Sequence, residues 1–138
     1  MRGDITFNLM NMILPATSES VHEHAAELLK VLSHPVRLKI LEILRGGEQC
    51  VCHMEAALGL RQAYISQHLI VLRDAGLVSV RREGWNIYYT LIQPEVFEVI
   101  EAATSMYSSR SGKSASRGYH GSRAHDCPCP KCAVKRTT

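Results

Sequence analysis

Between residues 52 and 91 the chain runs through four patterns in a fixed order, and that order limits the fold more than any bulk property. Residues 52–58 read as a short helix that Gly59 closes from the position just past its end, where glycine tolerates a left-handed backbone. A turn at Leu60-Arg61 leads into a longer helical pattern over 62–75. In it Ile65, Leu69 and Leu72 face inward at helical spacing, while Tyr64, Gln67 and His68 lie on or beside the other flank. Gly76 ends it. Residues 77–82 and 85–91 are β-rich runs separated by Glu83-Gly84, a two-residue turn of the hairpin type. Helix, turn, helix and hairpin in this order make a winged helix-turn-helix, which lays its second helix in a DNA major groove.

The flanking sequence supplies a core for that device. Val21, Ala25, Leu28, Leu29 and Leu32 recur at helical spacing, with Glu23 and Glu27 near the end where the helix dipole favours acids. His34-Pro35 stops this helix and starts the next, since proline suits a first helical position and restricts the residue before it. Residues 36–44 then read as the central core helix, through Val36, Ile40, Leu41, Ile43 and Leu44, and Gly46-Gly47 ends it. Pro94 opens a last helix through roughly residue 108, with an apolar stripe of Val96, Val99, Ile100 and Ala103. The expected fold class is mainly α with a β-hairpin wing. A domain of short helices this small completes its core by dimerising, so a homodimer is expected. Three regions follow: a flexible N-terminal arm over 1–19, a winged helix domain for DNA binding and dimerisation over 20–108, and a flexible basic tail over 109–138.

Composition separates that tail from the rest. The net charge is only +3, yet residues 109–138 carry seven Lys and Arg against the single acid Asp126. The folded part is therefore mildly acidic, and affinity for DNA must come from a local basic patch. Ser, Gly, Arg and Lys dominate the tail, which is too poor in apolar residues to fold alone. No apolar run is long enough to cross a bilayer, and residues 1–14 lack a basic start, an unbroken apolar core and a small-residue cleavage site. No membrane partner is expected, and the expected location is the cytoplasm. Five cysteines in a reducing compartment point to metal ligands or redox thiols rather than disulfides.

A DNA-reading helix needs short polar side chains in its N-terminal half, which points at base edges while its flanks meet phosphates. Gln62, Ala63, Tyr64, Ser66 and Gln67 occupy that half, and a glutamine can pair with adenine through two hydrogen bonds. Arg61 stands where a small capping residue is commoner and is expected to give up capping for a phosphate contact. His68, at the edge of the buried face, suits a structural histidine better than a base contact. Arg81 and Arg82 beside the hairpin turn would clamp the DNA backbone or reach a minor groove. Trp85, Tyr88 and Tyr89 read as cross-strand packing within the hairpin.

The cysteines fall in two clusters, Cys50-Val51-Cys52 and Cys127-Pro128-Cys129-Pro130-Lys131-Cys132. Thiolates bind soft or borderline ions, and a helix N-terminus lowers a thiol pKa toward the ligand form. On an ideal helix residues two apart point roughly 200° apart, so Cys50 and Cys52 share an ion only if Cys50 lies in an extended lead-in. If the helix began earlier, Cys50 and His53 would share a face. Two thiols leave a site incomplete, because As(III) takes three sulfurs and tetrahedral Zn(II) or Cd(II) takes four ligands. Cys127, Cys129 and Cys132 are candidates for the rest. The linker of about 19 residues spans roughly 24 Å as a flexible chain, enough to bring them to Cys50 and Cys52 of either subunit. The tail thiols could also hold a metal alone; His120 and His125 beside them read as solvated.

Several of these segments together resemble one family. Leu32-Ser33-His34-Pro35-Val36-Arg37-Leu38-Lys39-Ile40-Leu41-Glu42-Ile43-Leu44, the Cys50-Val51-Cys52 pair, Ile65-Ser66-Gln67-His68-Leu69 with the Arg73-Asp74-Ala75-Gly76-Leu77-Val78 that follows, and Arg81-Arg82-Glu83-Gly84 are similar to the ArsR/SmtB family of metal-responsive winged-helix repressors. The resemblance covers residues 21–104. It implies a homodimer joined through its first and last helices, bound to an inverted-repeat operator in double-stranded DNA and released by an inducer. It also places His22 and His24 near the matching segment in metal sensors of this shape. The chain departs from the family in three places. Glu55 stands where arsenite-sensing members carry a third cysteine; Glu95, Glu98 and Glu101 occupy the last helix without the histidine of zinc-sensing members; and the three-cysteine tail lies outside the shared core.

The expected function is therefore a repressor released when As(III), Cd(II), Pb(II) or Zn(II) binds Cys50 and Cys52 with the tail thiols. A thiol redox or reactive-sulfur sensor of the same fold is the alternative. An enzyme using His53 to activate Cys50 or Cys52 lacks any sign of an oxyanion site, so no catalytic activity is expected.

Overall fold

The computed structural model describes residues 18–112 and 129–130. Among them run α1 (Ser18–Leu32), α2 (Pro35–Arg45), β1 (Gln49–Cys50), α3 (Val51–Leu58), α4 (Gln62–Asp74), β2 (Val78–Glu83), β3 (Asn86–Leu91) and α5 (Val96–Ser111). This is a mainly helical winged helix-turn-helix, with α3 and α4 as the paired helices and β2 and β3 as the wing. Most of the expected arm and tail, including Cys127, Cys132, His120 and His125, lies outside the described residues.

Local chemistry sets the boundaries. His34 is extended (φ −130°, ψ 124°) and caps α2, its Nδ1 accepting the Val36 N–H at 3.2 Å, with Pro35 at the first position of the helix. The central helix then buries Ile40 and Leu41 completely. Gly59 closes α3 at φ +64°, its N–H donating to the Glu55 carbonyl at 2.9 Å. That backbone favours glycine. Met54, Ile65, Leu69 and Leu72 join Ile40 and Leu41 with no exposed surface, which fixes α3 and α4 against the central helix.

The sheet departs from expectation in two ways. A short strand, β1, pairs antiparallel with β3, giving the order β1-β3-β2, with Gln49 opposite Tyr89 and Cys50 opposite Tyr88. Two residues are too few to show alternation, so this strand has no signature in sequence. The wing turn is Gly84-Trp85 rather than Glu83-Gly84, because Glu83 pairs with Asn86 and Gly84 takes φ +60°. Tyr88 and Tyr89 are buried as expected, but Trp85 is fully exposed at the wing tip rather than packed across the strands.

The outer helices differ from their expected spans. α1 begins at Ser18, and α5 starts two residues after Pro94 and runs to Ser111, capped by Gly112. Val21 and Leu29, expected on the inward stripe of α1, are 55% and 54% exposed, and Met106 and Tyr107 on α5 are more exposed still. No helix among the described residues is long and apolar enough to cross a membrane.

Candidate functional site

The second helix of the pair presents a polar N-terminal half. Arg61 precedes α4 in an extended conformation and makes no side-chain capping bond; its carbonyl accepts the Tyr64 and Ile65 N–H groups, both at 3.1 Å. No acid occupies the first turn, so the positive end of the helix dipole is unopposed there. Arg61, Gln62, Ala63, Tyr64 and Gln67 are exposed and Ser66 is half-buried. Fixed by Ile65, Leu69 and Leu72 behind them, these side chains form one rigid edge.

His68 does not belong to that edge. Its ring is 7% exposed, between His34 at a centroid distance of 4.3 Å and the edge-on Tyr64 at 4.7 Å. Arg37 Nε donates to its Nδ1 at 3.3 Å. The neutral ring therefore carries its proton on Nε2, which is buried without a partner among the described residues. Burial holds the His68 pKa below its ordinary value, with the charges of His34 and Arg37 adding to the effect. The imidazole is buried because position 68 shares the inward face with Ile65 and Leu72.

The wing arginines divide. Arg82 is exposed. Arg81, expected to clamp DNA, is engaged within the chain: Nε and Nη2 donate to the Glu48 carboxylate at 3.1 and 2.9 Å, and Nη1 donates to Glu83 at 2.7 Å. Its guanidinium also lies 4.8 Å from the Tyr88 ring centroid. These two carboxylates raise its already high pKa, so the charge is permanent.

The thiols converge. Cys50 sits in β1 with extended backbone (φ −82°, ψ 159°) and caps α3, its Sγ accepting the His53 N–H at 3.2 Å. This is the extended lead-in that lets two cysteines in a Cys-x-Cys pair face each other, and here the two are joined as a disulfide across a Cα–Cα distance of 5.4 Å, where the composition led to the expectation of free thiols. Cys129 packs against the pair, and all three sulfurs lie within 4.8 Å of one another. Cys50 and Cys129 are 2% exposed and Cys52 is half-buried. Tyr88, 4% exposed, closes the cluster; burial pushes its phenol pKa up, with Cys129 and Glu83 adding and Arg81 opposing. Thiolate-to-metal bonds of about 2.3 Å put sulfurs roughly 3.8 Å apart in a tetrahedral site, so to hold such an ion the Cys50–Cys52 pair would first be reduced and its two sulfurs would move apart. His22 and His24 are exposed on α1 and His53 contributes its backbone to Cys50; among the described residues no histidine joins the converging ligand atoms.

Sequence reasoning missed Glu48 and the place of Tyr88 beside the thiols. Both depend on contacts between segments more than thirty residues apart.

A polar helix edge on a winged helix-turn-helix, carried next to a wing, defines a DNA-binding regulator. Residues 34–80 match the family described as bacterial regulatory protein, arsR family. The chain is 43% identical over 94 residues to the biofilm growth-associated repressor of Agrobacterium fabrum, covering 68% of this chain and 80% of that protein. Reduced HlyU from Vibrio cholerae has a similar structure, with a TM-score of 0.58 and 38% identity over 65% of this chain and 95% of that one. NolR from Sinorhizobium fredii gives a TM-score of 0.59 and 34% identity, over 68% and 96%. The chain belongs to the arsR family of transcriptional regulators.

Proposed function

We propose that the chain is a transcriptional repressor that binds an inverted-repeat operator as a homodimer and is released when a thiophilic ion binds Cys50, Cys52 and Cys129. The convergence of these three sulfurs, two of them from one end of α3 and one from about eighty residues later, carries the reading. Three sulfurs among the described residues suit pyramidal As(III); Cd(II), Pb(II) or Zn(II) would draw a fourth from Cys127 or Cys132. Once the Cys50–Cys52 bond is reduced, the Cys50 sulfur at the N-terminus of α3 would be free to serve as a ligand. Arg61, Gln62, Ala63, Tyr64, Ser66 and Gln67 would read the major groove, and Arg82 and Arg81 the backbone beside it. His68 supports the reader from behind. A second copy of the chain would cover the exposed apolar residues of α1 and α5, including a groove of about 420 Å³ lined by Leu29, Leu32, Val99, Ile100 and Tyr107. That arrangement spaces two α4 helices for two half-sites.

The test is fluorescence anisotropy of the reduced full chain on its own promoter DNA, titrated with As(III), Cd(II), Pb(II) and Zn(II). At least one ion should release the native protein. The double variant Cys50→Ser/Cys52→Ser should bind the operator and stay bound. A double variant that fails to bind would make the thiols structural supports and contradict the reading. The sulfur contact between Cys50 and Cys52 favours a second reading, in which a peroxide takes two electrons and two protons from the pair and leaves as water. Release by peroxide in chelated buffer, with no response to any ion, selects it.

A further inference from the structure

Across the three-stranded sheet, Cys50, Tyr88 and Arg81 stand directly opposite one another: Cys50 pairs with Tyr88, and Tyr88 with Arg81. Directly opposed residues of antiparallel strands project from the same face. One row therefore runs from a sensor thiol, through a buried aromatic ring, to an arginine of the wing. Tyr88 packs on Cys50 and Cys129 at one side and lies under the Arg81 guanidinium at the other. The arginine's edge is held by Glu48 through two hydrogen bonds and by Glu83 through a third. Glu48 also accepts the Thr90 hydroxyl at 3.3 Å, which fixes the carboxylate from a second strand, and it lies only two residues before Cys50. A guanidinium fork fits a carboxylate and a phosphate with the same paired geometry, so an Arg81 held in this way is withheld from a DNA backbone.

We propose that Glu48 is a built-in competitor for the operator phosphate: it latches Arg81 against the sheet in the released state and surrenders it to the DNA backbone in the bound state. The proposal rests on the repressor reading above. Order at the thiol end favours the latch, because an ion bridging Cys129 to the reduced Cys50 and Cys52 would hold the strand that positions Glu48 and the ring that supports Arg81. Glu48 is thus a positioning residue, acting on DNA only through Arg81.

Its test is operator binding by the full chain at a series of salt concentrations, for the native protein, Glu48→Gln, Arg81→Gln and the double variant, each first shown to unfold cooperatively. Glu48→Gln should bind roughly twofold to fivefold tighter, the scale of one exposed charge pair. Its salt dependence should stay native-like, because both complexes make the same Arg81–phosphate contact. Arg81→Gln should bind more weakly with a correspondingly shallower slope, and the double variant should match Arg81→Gln alone. An ion that releases the native chain should release Glu48→Gln less completely. Native-like affinity in Glu48→Gln would overturn the latch, and so would a gain that persists in full when Arg81 is already replaced. If the native chain answers no ion while the four proteins still rank as expected, the sensing reading fails and the Glu48–Arg81 exchange stands.

Discussion

His68 sits in the middle of α4 on its buried face, 7% exposed. Its folded-state pKa is lowered below the ordinary 6.5, so folding favours the neutral ring. The unfolded chain therefore takes up the extra proton first as the pH falls, and stability drops from about pH 6.5 downward, through the lower folded value. Urea unfolding at pH 7.5 and pH 5.5 should show this loss in the native protein and a smaller loss in His68→Gln; equal losses would mean that His68 is not the titrating group. Leu69, one position on, has no exposed surface. Leu69→Ala should cost about 2–5 kcal/mol of stability in the same assay, because it opens a cavity between α4 and the central helix. Sequence spacing placed Leu69 in the core but left His68 at its edge. What decides the histidine is Arg37, thirty-one residues earlier, which sequence patterning does not bring to it.

At the scale of elements, the reading helix and the wing owe their geometry to their ends. Gly59 has open space where a Cβ would stand, so Gly59→Ala should cost only the left-handed backbone, about 1–2 kcal/mol. Trp85, the chain's single tryptophan, projects from the wing tip into solvent. Its fluorescence maximum should barely move when the native protein unfolds in urea, and Trp85→Ala should shift stability by no more than about 0.5 kcal/mol. A marked red shift on unfolding would place the indole in a packed environment instead. The helical periods, the glycine after α3 and the hairpin were all legible in the sequence because each is set by neighbours within a few residues. β1 was not, since its pairing with β3 joins Gln49 to Tyr89. Nor were the links that follow from it. The Cys50-Val51-Cys52 spacing stated the condition for two thiols to meet, an extended residue 50; the strand that meets it is a long-range contact. Cys129 was named among the tail thiols as a partner for the pair, but spacing alone did not separate it from Cys127 and Cys132.

For the whole molecule, two features stand apart: the exposed apolar residues of α1 and α5, and the thiol cluster at the sheet, whose residues form a separate cluster from the main core. The first face bears on assembly. If the chain dimerises through this face, Leu29→Glu combined with Tyr107→Glu should shift the proposed dimer toward monomer in sedimentation and weaken operator binding, since a half-site held alone loses the linked second contact. Unchanged sedimentation would place the interface elsewhere. The thiol cluster bears on the proposed switch, whose coupling to DNA would have to be reciprocal: if an ion weakens operator binding by a given factor, the operator weakens ion binding by the same factor. The most direct measurement is therefore the affinity of the reduced full chain for the releasing ion, determined with and without saturating operator. Binding that weakens on DNA by the factor the ion imposes on operator affinity is the predicted result. Equal ion affinity for the free and operator-bound protein would contradict the account, because an ion that binds both states alike cannot move the protein from one to the other.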